Sequence, residues 1–218
     1  MGYTCGMDVV YILGSGSLAG NAEIRYSLRS LERNMGDLGK VYVVGESPGF
    51  LRDCERVPAN DDASDKWKNA YEKTLKACGL PDLTDDFLLM NDDFFFTEPF
   101  LGAEWPYFAL AGSNGGSCGM HSFHIHAAIR LNKEMYIKMP FSIEQKAGRS
   151  PRTFYGNFYK AKPKFCEDFI LRAGSVCRDF DEQIKDWECF SVSDSAMLDE
   201  SFREWLENKY PVPSSFEV

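Results

Sequence analysis

The opening of the chain constrains the fold most. A β-branched and apolar run, Asp8-Val9-Val10-Tyr11-Ile12-Leu13, breaks off into Gly14-Ser15-Gly16-Ser17. Between Asn21 and Asn34, Ile24, Leu28 and Leu31 then fall at i, i+4 and i+7, with Asn21 placed to cap and Gly36 to stop a helix. A second strand follows at Lys40-Val41-Tyr42-Val43-Val44-Gly45, closed by Ser47-Pro48-Gly49. Strand, helix and strand in so short a span make a β-α-β unit, which favours a parallel sheet whose ligands gather at the carboxyl ends of its strands.

The pattern continues beyond that unit. Val57 starts a short strand, and Ser64 to Cys78 reads as a helix with Trp67, Tyr71 and Leu75 every fourth residue, ended by Gly79 and Pro81. Asp86-Phe87-Leu88-Leu89-Met90 is a third strong strand, entering Asn91-Asp92-Asp93 and leaving through Phe94-Phe95-Phe96. Gly112 to Gly119 is glycine-rich and suits a lid. Helices are expected at Ser122 to Lys133, Pro163 to Ala173 and Asp199 to Asn208. With 218 residues, 44% hydrophobic and 14% aromatic, there is material for one α/β domain and no sign of a second core.

No apolar run reaches membrane-spanning length, and the N-terminus lacks the basic head and apolar core of an export signal. The expectation is a soluble, cytoplasmic protein. Seven scattered cysteines without a Cys-x-x-Cys pair agree with free thiols in a reducing compartment. The net charge of −9 argues against a DNA-coating surface. Between Arg130 and Arg178, however, eleven basic residues stand against four acids. Such a segment suits a nucleotide diphosphate, a charged glycan or a short stretch of nucleic acid, and charge alone fits a solvated basic face equally well.

Chemistry concentrates at Asn91-Asp92-Asp93. Two neighbouring carboxylates between apolar strands repel each other and resist burial, unless a cation offsets both effects. Mg²⁺ or Mn²⁺ prefers such hard oxygens and bridges them to a diphosphate. Asp92 and Asp93 are therefore the expected metal ligands at the catalytic centre, against the alternative of a strand-end turn carrying two solvated carboxylates.

Four blocks then bear a family resemblance: Asp8-Val9-Val10-Tyr11; Glu23-Ile24-Arg25-Tyr26-Ser27-Leu28-Arg29-Ser30-Leu31-Glu32; Lys40-Val41-Tyr42-Val43-Val44; and Phe87-Leu88-Leu89-Met90-Asn91-Asp92-Asp93-Phe94-Phe95-Phe96. In order and spacing they resemble the Stealth proteins, which include capsular polysaccharide hexose-1-phosphate transferases and the lysosomal-targeting sugar phosphotransferase. The resemblance covers about the first half of the chain. It implies a single GT-A-like, Rossmann-like α/β domain with a mainly parallel central sheet flanked by helices, a UDP-sugar-like donor, and a metal-assisted acidic motif. Residues 1–111 would form the donor and metal half, and 112–218 the acceptor side. The resemblance implies that Arg25 and Arg29, one turn apart, face donor phosphates, that Asp8 sits at the end of the first strand beside the nucleotide, and that Lys66, Asn69 and Asn91 meet the sugar or diphosphate.

The second half departs from the family pattern. Where the phosphotransferases carry a His shortly before a Pro, this chain has Lys138 before Met139-Pro140. Lysine is a poor base at its ordinary pKa but a good fixed charge, which favours plain glycosyl transfer over sugar-1-phosphate transfer. Arg149-Ser150-Pro151-Arg152-Thr153-Phe154-Tyr155-Gly156-Asn157 loosely matches the next block, and Pro211-Val212-Pro213-Ser214 resembles the end of small phage and bacterial members. The match makes Arg152 a ligand for a donor or acceptor phosphate, and Asn157 an acceptor-side residue.

Cys118, His121, His124 and His126 invite a zinc reading, but no compact second pair of ligands follows and such close spacing would need an unusual turn. The histidines are read as structural or acceptor-side, and one of them could supply the base that Lys138 cannot, or a further metal ligand. Gly14-Ser15-Gly16 with Gly20 misses the dinucleotide fingerprint by one residue. The reading is a metal-dependent glycosyltransferase acting on a glycan or on hydroxymethylated DNA. Its rivals are a sugar-1-phosphate transferase and a catalytically silent binding module.

Overall fold

Both faces of the first strand are apolar, and both find cover. The computed structural model describes residues 6–62, 65–115, 120–123, 126–141, 150–171, 179–193 and 195–218. In β1 (Met7–Leu13), Val9, Tyr11 and Leu13 pack into one core cluster and Val10 into another, all buried. Strands β2 (Leu38–Gly45) and β4 (Asp86–Met90) flank β1 in parallel, and β3 (Glu55–Val57) adds to β2 in parallel. At the other edge β8 (Ile129–Asn132) runs antiparallel to β4, giving the order β3-β2-β1-β4-β8. This is the α/β fold with a mainly parallel sheet that the strand pattern predicts.

Helix α1 (Glu23–Asn34) covers one face, with Ile24, Leu28 and Leu31 in the same cluster as Val9 and Tyr11. Helices α2 (Lys66–Cys78), α3 (Lys133–Lys138) and α4 (Pro151–Phe158) supply the other, where Ala77, Tyr136 and Tyr155 meet Val10, Phe87 and Leu89. A second sheet joins β10 (Ile170–Leu171), β11 (Cys189–Val192) and β5 (Phe94–Phe96). Against it, after α5 (Phe180–Ile184), packs α6 (Glu200–Lys209), through Phe202 and Leu206 on Phe95 and Phe190. A third sheet joins β7 (Met120–Phe123), β6 (Tyr107–Gly115) and β9 (Pro163–Cys166).

Two expected helices are strands. Residues 129–132 alternate buried and half-buried with a period of two and pair with β4, so the helix starts only at Lys133. Residues 163–166 pair with β6 and 170–171 with β11, where partners distant in sequence override local preference. Asn21 does not cap α1: it sits at φ 57°, and Ala22 is the cap residue. The Ser17 hydroxyl instead accepts the Ala19 and Asn21 amides, at 3.2 and 2.9 Å. The glycine-rich segment continues β6 as far as Gly115, and residues 116–119 lie outside the described residues. Cys54, Cys78, Cys166 and Cys189 are free thiols.

Gly45, at the carboxyl end of β2, is required by its surroundings. Its φ is +117°, and a β-carbon there would lie 2.1 Å from the Leu13 carbonyl oxygen. Close approach at that point lets Leu13 O accept a 2.6 Å hydrogen bond from the Lys73 ammonium, which fixes where β1 ends and the cleft begins.

Candidate active site

The chain passes from the first sheet to the second through three residues. Met90 is the last residue of β4 paired with β1, and Phe94 the first of β5 paired with β11, so Asn91-Asp92-Asp93 is the crossover. Polar side chains of α1 anchor its far end. The Ser27 hydroxyl donates to Phe94 O at 2.5 Å, and the Ser30 hydroxyl accepts the Phe96 amide at 3.1 Å. Asn34 Nδ2 donates to Phe96 O at 3.0 Å, and the Val192 amide to Asp93 O at 3.1 Å. In the order β3-β2-β1-β4-β8, connections run one way from β1 to β3 and then return to β4 on its other side. The carboxyl ends of β1 and β4 are thus the topological switch point, where ligands bind in open α/β sheets.

A three-lobed cleft opens there. The first lobe, about 280 Å³, is bounded by Ile12, Lys66, Trp67, Asn91, Asp93 and Arg152, among others. A second of about 280 Å³ runs over Gly14, Gly16, Glu23, Asp92, Asp93 and Ser193. The third, about 330 Å³, lies over Gly14, Gly16, Asp61, Lys66 and Asn69. Asp93 borders the first two, Lys66 the first and third, and Gly14 and Gly16 the second and third. Each lobe alone is near the lower bound of ligand-site volumes, and joined they suit a ligand of several parts.

Arg152 closes the first lobe. Ser150 caps α4 by accepting the Thr153 amide at 3.2 Å, and Pro151 starts the helix, which sets the guanidinium over the crossover. Its Nη2 donates to Asn91 Oδ1 at 2.7 Å and its Nη1 to Ala127 O. Burial lowers this guanidinium to about 10, against the pull of the Asp93 carboxylate, and it remains charged at neutral pH. On the same lobe His126 places Nδ1 3.0 Å from Asp168 Oδ1. At the third lobe Asp61 accepts the Ser15 amide at 2.9 Å and pairs with Lys73 at 2.5 Å. Burial opposes ionisation of Asp61, but Lys73 and Ser15 outweigh it and hold the carboxyl below its ordinary value.

Of the expected site residues, the fold brings together Asn91, Asp92, Asp93, Arg152, Lys66, Asn69 and His126. Others are corrected. Asp8 lies at the opposite, amino end of the sheet, with its carboxylate accepting the Lys40 and Thr84 amides at 2.8 and 2.9 Å. Arg25 and Arg29 face the C-terminal segment: Arg25 Nη1 binds Glu217 at 2.9 Å, and Arg29 binds Glu217 at 2.8 Å, Glu207 at 3.1 Å and Tyr210 O at 2.8 Å. Lys138 is exposed and paired with Glu134 on its own helix, and that carboxylate raises the lysine pKa further. Neither base nor phosphate ligand is offered to the cleft by that pairing.

Asn157 ties β7 to α4 by accepting the His121 amide at 2.8 Å and donating to His121 O at 2.7 Å, a scaffold contact away from the lobes. His124 lies outside the described residues. Sequence reasoning missed the Asp61–Lys73 pair, which no local motif marks. Trp67, which the sequence places on the helix without a site role, lines the cleft.

Within the basic segment Lys160 and Lys162 are exposed, and other described basic residues are engaged elsewhere. Arg152 is buried, Lys133 donates to Leu80 O and Leu83 O, and Lys138 and Lys164 are paired with Glu134 and Glu188. As for a metal, no group of three or more His, Cys, Asp or Glu side chains converges among the described residues. Asp92 and Asp93, both half-buried at the cleft, fit Mg²⁺ or Mn²⁺ held by few carboxylates and completed by phosphate oxygens and water.

No helix of the described residues is long and apolar enough to cross a membrane. No protein-family model matches the chain, and no curated protein matches it by sequence. The fold is that of GT-A-like glycosyltransferases. An active-site mutant of LgtC superimposes with a TM-score of 0.56 at 13% identity, over 96% of this chain and 98% of that one. The galactosyltransferase LgtC in complex with donor and acceptor sugar analogs gives 0.54 at 14% identity, over 95% and 98%. The glycosyltransferase GlyE of Streptococcus pneumoniae TIGR4 gives 0.50 at 12%, over 97% of this chain and 67% of that one. The chain spans less than two thirds, 65%, of the apo form of GlyE.

Proposed function

We propose that this chain transfers a sugar from a nucleotide sugar, a UDP-sugar by preference, to an acceptor hydroxyl. The observation that carries the reading is the position of Asn91-Asp92-Asp93 at the switch point, bordering a cleft with Arg152 and Lys66. The likeness in fold to LgtC, solved with donor and acceptor sugar analogs, supports it. In the reaction the anomeric carbon–oxygen bond to the diphosphate breaks, a bond to the acceptor oxygen forms, and the acceptor proton leaves. Asp92 and Asp93 would hold Mg²⁺ or Mn²⁺, which when bound neutralises the departing diphosphate. Lys66 adds a fixed charge at the mouth, and Arg152 keeps Asn91 and the crossover in place. His126, oriented by Asp168, is the group placed to take the acceptor proton.

The reaction that the Stealth resemblance implies, sugar-1-phosphate transfer, is the second reading. The exposed Lys138 in place of the expected His speaks for sugar transfer instead. A glycan hydroxyl suits the acceptor better than modified DNA, given the net charge of −9 and the engagement of Lys133, Lys138 and Lys164 with protein groups.

Product analysis separates these readings. Purified protein, Mn²⁺, a panel of UDP-sugars and candidate acceptors are expected to yield UDP and a product without phosphate. UMP with a phosphodiester product would establish the second reading. Donor binding with no turnover on any acceptor would reduce the chain to a binding module.

A further inference from the structure

The floor of the first lobe holds a feature that the transfer chemistry leaves unexplained. Tyr136 is 1% exposed and lines the lobe, and its hydroxyl makes no hydrogen bond of ordinary geometry among the described residues, with the Thr74 hydroxyl as a polar neighbour. The ring cannot swing out to solvent, because Tyr71 and Tyr155 flank it with centroids at 5.6 and 6.1 Å. Beside it Thr74, also buried, donates its own hydroxyl proton to Ala70 O at 2.8 Å. Burial keeps the Tyr136 phenol protonated well beyond neutral pH. A buried, protonated hydroxyl left without a partner is unfavourable unless something entering the cavity accepts from it.

The rest of the lobe indicates what enters. Its walls include the Trp67 ring, Ile12 and Leu89, surfaces that pack against carbon-bound hydrogens, while its rim carries Asn91, Asp93 and Arg152. Apolar walls, a few inward polar groups and a volume of about 280 Å³ match a single sugar ring. The ring must be that of the donor, since Asn91 and Asp93 border the same lobe and the transferred sugar stays bonded to the diphosphate held at that turn.

We propose that this lobe seats the donor's glycosyl unit and that the Tyr136 hydroxyl reads one of its hydroxyl groups, which makes Tyr136 a specificity-determining residue. This inference rests on the nucleotide-sugar reading above. Binding sites that hydrogen-bond a substrate hydroxyl reject analogues lacking it, because their own buried polar group is then left unpaired.

The test is Tyr136→Phe, with calorimetric titration of UDP, UDP-glucose, UDP-galactose and UDP-N-acetylglucosamine alongside a melting curve of the free protein. Removing an unpaired hydroxyl is expected to leave the melting temperature equal or higher. UDP affinity stays as in wild type, while affinity for the best-bound UDP-sugar falls about tenfold. A donor analogue lacking the hydroxyl that is read binds both proteins alike. Unchanged affinity for the UDP-sugar overturns the inference, as does a lower melting temperature with an unchanged ligand response, or a loss confined to acceptor binding. Wild-type protein that binds UDP but no UDP-sugar overturns it too, with nucleotide binding left standing. Binding of neither removes the nucleotide-sugar reading itself, and this inference with it.

Discussion

Asp93→Asn is expected, on the proposed nucleotide-sugar reading, to lower donor turnover, read as kcat/KM for UDP release, on the order of 10³-fold. The substitution keeps the side chain's size and removes its charge from the one carboxylate among the described residues that borders both the first and second lobes. On the proposed reading two effects add: a cation holding the diphosphate would lose an anionic ligand, and Arg152 loses the charge that draws against its burial. The backbone contacts of the crossover, from Val192 N to Asp93 O and from Ser27 to Phe94 O, are untouched, so the fold persists. The same substitution at Asp92, which borders the second lobe only, gives a smaller loss. A decrease of less than about tenfold at Asp93 would remove that residue from the reaction.

Glu217→Gln destabilises the fold by about 3 kcal/mol, since breaking a buried ion pair leaves an uncompensated charge. Glu217 is 2% exposed and holds Arg25, Arg29 and the Ser214 amide, the last at 2.8 Å. Arg29 keeps Glu207 and Tyr210 O, which places the loss at the lower end for such pairs. For a chain of this size that corresponds to a fall in melting temperature of about 6–12 °C.

The effect depends on pH in a defined direction. Burial works to raise the Glu217 carboxyl, but hydrogen bonds from Arg29 and the Ser214 amide outweigh it and hold the group below its ordinary 4.5. A carboxyl depressed in the folded state contributes fully above the unfolded value, near 4.5, and the contribution is lost as pH falls through the folded value. The gap between wild type and variant is therefore constant from pH 6 to 8 on this account and narrows below about pH 4. Melting curves across that range check it, and a gap that widened in acid would reverse the sign.

How far the sequence discloses the molecule depends on where each signal resides. β1, β2 and β4 are legible because each carries its own apolar run, and α1 and α2 because their stripes repeat within one element. β9 and β10 are not, since short strands are defined by partners elsewhere, Phe165 by Ala109 and Leu171 by Val192. Asn91-Asp92-Asp93 stands out because charge between apolar strands is costly wherever it occurs. The spacing of Arg25 and Arg29 tells which side of the helix they leave from, but not that Glu217 waits there. The Tyr136 hydroxyl is hidden for a like reason. Whether a phenol has a partner is a property of the packed cavity, not of the residues beside it in the chain.

The most direct measurement is a crystal structure of the protein soaked with Mn²⁺ and a UDP-sugar. The diphosphate is expected over the crossover, with Asp92 and Asp93 directed at the cation and the sugar in the lobe beneath Arg152. Nucleotide bound elsewhere, with both carboxylates turned to bulk water, would contradict the account.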